Sequence, residues 1–139
     1  MESRSSADAT LRRRLLSAGV RPTSKRLQLA HLLLDGPCRH VSAEEVWREA
    51  QDAALNVSLA TVYNTLNGFV EAGLLRLVDL PTARGLFDTN TSPHHHIFDE
   101  TSGVVSDLPA HAVEHRLAPG VVPQGAALCA VDILVRVRS

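Results

Sequence analysis

His94, His95 and His96 stand in a row, with Asp88 before them and Asp107 after them. Three successive imidazoles have little to offer a packed core and much to offer a cation. In an extended strand neighbouring side chains point to opposite faces, so His94 and His96 would share one face and His95 the other. One tripeptide could then feed two sites. Neutral imidazole is the commonest protein ligand for divalent transition metals, and mixed imidazole and carboxylate ligation suits iron, manganese or zinc. The plain alternative is a polar, solvated loop, which the preceding Asn90-Thr91-Ser92-Pro93 favours.

The elements that must hold these groups are short. The chain has 139 residues, 45% of them hydrophobic and 4% aromatic, which implies a folded chain with an aliphatic core in one domain or two very small ones. No apolar run approaches a membrane span, and the Arg12-Arg13-Arg14 tract has no apolar segment behind it to make a secretory signal. Cys38 and Cys129 stand alone, which excludes a disulfide framework or a cysteine zinc site and points to a reducing cytoplasm. The net charge of −1 hides an asymmetry. Arg4, Arg12, Arg13, Arg14, Arg21, Lys25 and Arg26 crowd the front, whereas residues 77–139 are acidic and rich in histidine. Nucleic acid in front and cations behind would fit that distribution, as would a merely solvated arginine face.

Leu11, Leu15, Leu16 and Ala18 form a short helical stripe that Gly19 ends, after a mobile start of about seven residues. Thr23 is an N-cap for a second helix lined by Leu27, Ala30 and Leu34 and stopped at Gly36-Pro37. Ser42 and Glu45 make a capping box for a third, with Val46, Trp47 and Ala50 inward. Ser58 caps a fourth, in which Leu59, Val62, Leu66, Phe69 and Val70 keep the helical period until Gly73. Leu74–Leu80 and Gly85–Asp88, around Pro81-Thr82-Ala83-Arg84, read as a hairpin. This order is that of a winged helix-turn-helix. Beyond it, His96–Asp99 and Val104–Asp107 read as paired strands turning at Ser102-Gly103. Pro109–Leu117 reads as a helix, Pro119–Gly125 as a loop and Leu128–Val137 as a strand. That second piece is too small for a good core of its own and calls for a partner chain. The fold class is therefore α+β, with a winged helix-turn-helix over 1–89 and a small α/β piece over 90–139.

On the fourth helix the apolar stripe leaves Ala60, Thr61, Tyr63, Asn64 and Asn67 outside. Small residues near a helix N-terminus allow close approach to a major groove, Thr and Tyr can meet phosphates or thymine methyls, and Asn can pair with adenine. An ordinary amphipathic helix with a polar outer face would look the same.

Gly19-Val20-Arg21-Pro22-Thr23, His40-Val41-Ser42-Ala43-Glu44-Glu45, Leu59-Ala60-Thr61-Val62-Tyr63-Asn64-Thr65-Leu66 and the triple histidine occur in that order. Together they strongly resemble the ferric uptake regulator (Fur) superfamily of metal-responsive repressors over about residues 11–137. The resemblance implies a homodimer that binds an AT-rich inverted-repeat operator, with Tyr63 against bases, Arg21 in the flanking minor groove, and Thr61 and Asn64 on the reading face. Asn64 stands where many relatives carry Arg, which changes the expected operator. The resemblance also implies a regulatory site of His40, Asp88, His94, His96 and Asp107 for Fe(II) or Mn(II), with Zn(II) also admissible. A second site would use His95, Glu114 and Asp132. His111 and His115, four apart on the expected helix, could chelate but read as a solvated face.

The superfamily's structural zinc, held by two CxxC pairs, is missing. The first pair falls at Asp99-Glu100-Thr101-Ser102, and the tail holds no second pair. That absence, with Tyr63-Asn64-Thr65-Leu66, the triple histidine and the closing Val131-Asp132-Ile133-Leu134-Val135-Arg136, resembles the iron response regulator branch. Its members answer to haem, which His94, His95 and His96 could ligate. Cys38 follows Pro37 instead of preceding it, so a Cys-Pro haem motif is not supported. A peroxide-sensing or simple manganese- or iron-dependent repressor is the neighbouring alternative. The remote one is a mononuclear non-haem iron enzyme with Asp88, His94 and His96 as a facial triad. It lacks any nucleophile–base pair or phosphate-cradling loop, so no enzyme is expected.

Overall fold

Helix caps decide where the chain turns. In the computed structural model, which describes residues 4–81 and 85–139, the chain forms two units, Met1–Thr91 and Ser92–Ser139. The first contains α1 (Arg4–Ser17), α2 (Ser24–Leu34), β1 (His40–Val41), α3 (Ala43–Asp52), α4 (Leu59–Glu71), β2 (Arg76–Val78) and β3 (Leu86–Asp88). Thr23, Ser42 and Ser58 each accept a backbone N–H from the residue three positions on, as their sequence positions predict. Gly19 and Gly73 end α1 and α4 at φ of 80° and 78°, a conformation that strains any side chain with a Cβ.

Leu15, Leu29, Val46, Val62, Leu66 and Phe69 fill the centre of this unit and are almost wholly withdrawn from solvent. Two details depart from the periodicity. Leu16 is 59% exposed, because Leu11 and Leu15 already occupy the one face of α1 that meets the core. The start expected to be mobile is helical from Arg4, where the Thr10 hydroxyl donates to the Ser6 carbonyl at 3.0 Å. The hairpin strands pair antiparallel as expected, although its turn at Thr82, Ala83 and Arg84 lies outside the described residues. The sheet also has a strand that the periodicity does not announce. β1 pairs with β3 in the order β1-β3-β2, setting His40 opposite Asp88. Helices followed by this wing make a winged helix-turn-helix.

α1 is held to α2 by a histidine between two acids. His31 Nδ1 lies 2.6 Å from Asp35 Oδ2, and its Nε2 meets Asp8 of α1 beside a cavity of about 790 Å³ that Arg4 and Arg12 also line. Burial pulls the His31 pKa down, but the hydrogen bonds and charges of Asp35 and Asp8 outweigh it and leave it above 6.5. The fold thus favours the imidazolium, since both ring nitrogens then donate. Stability from this clamp is complete below about pH 6.5 and disappears as pH rises through the raised folded-state value. The urea midpoint should therefore fall between about pH 6 and pH 8, and His31→Gln should flatten that slope. An equal slope in the variant would show that other groups carry it.

The second unit is a three-stranded sheet of order β5-β4-β6. β4 (His94–Asp99) and β5 (Val105–Pro109) run antiparallel around Gly103, and β6 (Leu134–Val137) lies parallel to β4. Hydrogen bonds from the Thr101 and Ser102 amides draw the Asp99 pKa down, and Arg138 with Arg136 does the same for Glu100. The expected helix over 109–117 reduces to one 3-10 turn at Ala110–Ala112. Its residues are mostly exposed and give a longer helix no apolar face to bury within the unit. The expected strand over 128–137 shortens to Leu134–Val137, the segment that finds register along β4.

Candidate functional site

In the first unit, β1–β3 pairing creates one half of the expected ligand set. His40 Nε2 lies 3.2 Å from Asp88 Oδ2, and the Asn90 amide donates to Asp88 Oδ1 at 2.9 Å. One carboxylate oxygen is thereby anchored and the other turned toward the imidazole. Asp88 is buried, so its negative charge favours a cation or a protonated partner beside it.

In the second unit the alternation predicted for the triple histidine is observed. His94 and His96 share a face of β4, and His96 stands directly opposite Asp107 on β5. The His94 and His96 Nε2 atoms are 3.0 Å apart, and Asp107 Oδ1 lies 3.3 and 3.4 Å from them. Atoms bound at about 2.1 Å to a single ion are separated by roughly 3.0–3.4 Å for right-angled to tetrahedral geometry. His94 Nδ1–H donates to the Ser92 carbonyl at 2.6 Å, which leaves a lone pair on the converging Nε2 of the neutral ring. The donor set fits a divalent transition metal. It fits haem poorly, because two axial imidazoles on opposite sides of one iron have nitrogens about 4 Å apart with bonds of about 2.0 Å.

His95 points the other way, and its Nδ1 accepts the Ile133 amide at 3.2 Å. Its ring lies edge-on to that of His115, with centroids 5.7 Å apart. Glu114 and Asp132 are exposed, and among the described residues they form with His95 no grouping tight enough for one ion.

The third feature is a groove of about 530 Å³ between the start of α2 and the outer face of α4. Arg21, Lys25 and Arg26 line one side, and Thr61, Asn64 and Gly68 the other. Tyr63 and Asn64 are exposed on α4 with Ala60 and Asn67, as the apolar stripe requires, and Thr61 is half-buried. The Tyr63 hydroxyl donates to Glu44 Oε1 of α3 at 2.8 Å. This bond was not legible as part of a site in the sequence. A basic wall facing small and amide side chains offers a surface for phosphates and base edges.

Residues 17–135 match the ferric uptake regulator family. The chain belongs to that family. It is 32% identical over 103 residues to the ferric uptake regulation protein of Vibrio anguillarum, covering 73% of this chain and 69% of that one. The ferric uptake regulator of Pseudomonas aeruginosa, solved with manganese, superposes with a TM-score of 0.74 at 28% identity, over 91% of this chain and 95% of the other. That of Vibrio cholerae gives 0.73 at 26%, over 92% and 98%. The chain is accordingly a DNA-binding, metal-responsive transcription regulator and not an enzyme, which disposes of the facial-triad alternative. With only two cysteines this sequence cannot form a four-cysteine zinc centre. No helix among the described residues is long and apolar enough to cross a membrane.

Proposed function

We propose that this regulator governs genes of iron or haem homeostasis from the cytoplasm, as a homodimer whose grip on operator DNA is set by one divalent ion. The ion, Fe(II) or Mn(II), takes its ligands from His40, Asp88, His94, His96 and Asp107. The carrying observation is the convergence of His94, His96 and Asp107 at distances suited to one cation. Binding both half-sets to a single ion would fix the two units in one orientation, and a dimer reaches two half-sites together only at a suitable spread. Homodimerisation is supported by Val104, Leu117, Val121, Leu128 and Val137, large apolar side chains left exposed on so small a unit. On the DNA side, Arg21 supplies charge at the groove's edge while Thr61, Tyr63 and Asn64 meet bases and backbone.

The test is anisotropy of a labelled AT-rich inverted-repeat duplex with metal-stripped protein, then with Mn(II), then with haem. Tight binding that needs Mn(II) and ignores haem supports the ion-gated reading, in its co-repressor or peroxide-sensing form. Release by haem would support the iron response branch instead, with His94, His95 and His96 as haem ligands. Tyr63→Ala should weaken operator binding about 10- to 100-fold and leave metal content intact. Unchanged DNA affinity in that variant would remove Tyr63 from the reading face.

A further inference from the structure

Arg39 precedes His40, and its side chain makes three hydrogen bonds to two helices of the first unit. Nη1 donates to both Glu49 oxygens of α3 at 2.9 and 3.1 Å, and Nη2 donates to the Leu32 carbonyl of α2 at 2.9 Å. The Arg39 amide donates to Thr89 Oγ1 at 2.9 Å, and the Thr89 amide returns a bond to the Arg39 carbonyl at 3.1 Å. Arg39 and Thr89 thus bracket His40 and Asp88, one step along the β1–β3 pairing. The same helix that takes the guanidinium at Glu49 offers Glu44 to Tyr63.

We propose that Arg39 is a positioning residue that locks the His40–Asp88 pair to α3 and thereby joins the metal half-set to Tyr63 on the DNA face. The inference rests on the ion-gated reading above and names the residue that carries its coupling inside the first unit. A planar guanidinium can satisfy a carboxylate with two bonds and a carbonyl with a third, all in fixed directions. The bracket at Arg39 and Thr89 is therefore held against two helices at once. Along α3, Glu44 and Glu49 are about 7.5 Å apart at 1.5 Å per residue. Ala43, Val46 and Ala50 bury the inner face of the helix between them. A helix packed in this way moves as a rod, so a cation that draws His40 and Asp88 together shifts the support of Tyr63.

The test uses the full chain as wild type, Arg39→Lys and Glu49→Gln. Three quantities are read: Mn(II) affinity of stripped protein, operator affinity with and without Mn(II), and the thermal midpoint of the stripped protein. Lysine keeps the charge and loses the fork. Arg39→Lys should lower Mn(II) affinity about tenfold, the scale of a lost support behind a ligand. It should also shrink the ratio of operator affinities with and without Mn(II), a ratio that equals the effect of operator on Mn(II) affinity. Glu49→Gln should shift both quantities in the same direction, and it stands in should the lysine variant fail to fold. A merely structural Arg39 would lower the thermal midpoint and both operator affinities together with their ratio unchanged, which would overturn the proposal. A wild type whose operator affinity ignores Mn(II) would fail the ion-gated reading itself, and the inference with it.

Discussion

His94→Ala should lower Mn(II) affinity by about a hundredfold or more, since loss of an outer-shell support alone costs about 10- to 100-fold. His94 presents Nε2 to His96 and Asp107 while its Nδ1–H is held by Ser92, so the ring arrives oriented. Metal-dependent operator binding should vanish with it. The fold should persist, because β4 is held on both sides by backbone pairing with β5 and β6. Isothermal titration of stripped variant protein and an unchanged circular dichroism spectrum would check both halves. Wild-type metal stoichiometry in this variant would show that the ion sits elsewhere.

Phe69→Ala should destabilise the first unit by about 3–5 kcal/mol, the range for deleting a buried aromatic ring and leaving its cavity. Phe69 is 1% exposed at the core of α4, near residues of the outer groove. Domains of this size have about 5–15 kcal/mol in all, so this one change removes a large fraction. Operator binding should fall in proportion to the folded population, with Mn(II) binding following it. Denaturant unfolding monitored by Trp47 fluorescence would measure the loss. A shift below about 1 kcal/mol would mean that the site collapses around the missing ring.

The local features were legible in the sequence because their physics is local. Thr23, Ser42 and Ser58 cap helices through a bond three residues away, and the glycines at 19 and 73 end helices through their own φ. The histidine alternation likewise follows from strand geometry alone. What escaped depends on the tertiary fold. A strand of two residues such as His40–Val41 has no period to read. Arg39 meets Glu49 and Tyr63 meets Glu44 only after helices and sheet are packed. The misplaced helix over 109–117 shows the converse, a permitted pattern with no surface to support it. The bond that His95 Nδ1 accepts from the Ile133 amide, 38 positions along the chain, likewise could not be read from the pattern that suggested a second site with Glu114 and Asp132.

That bond, with the parallel pairing of β6 on β4, bears on how the protein assembles. In the first unit helices and a hairpin form locally, but the sheet is complete only when β1 meets β3 across some 48 positions of chain. The second cannot complete its sheet until a segment some 38 positions away returns to β4. Closing a loop of that size costs about 3 kcal/mol of chain entropy beyond a constant, before any strand contact offsets it. Folding should therefore run in two stages within each unit, with helices and hairpins early and the third strand of each sheet late. A nascent regulator would have its reading helix before His40 is brought to Asp88 and the full set of ligands exists.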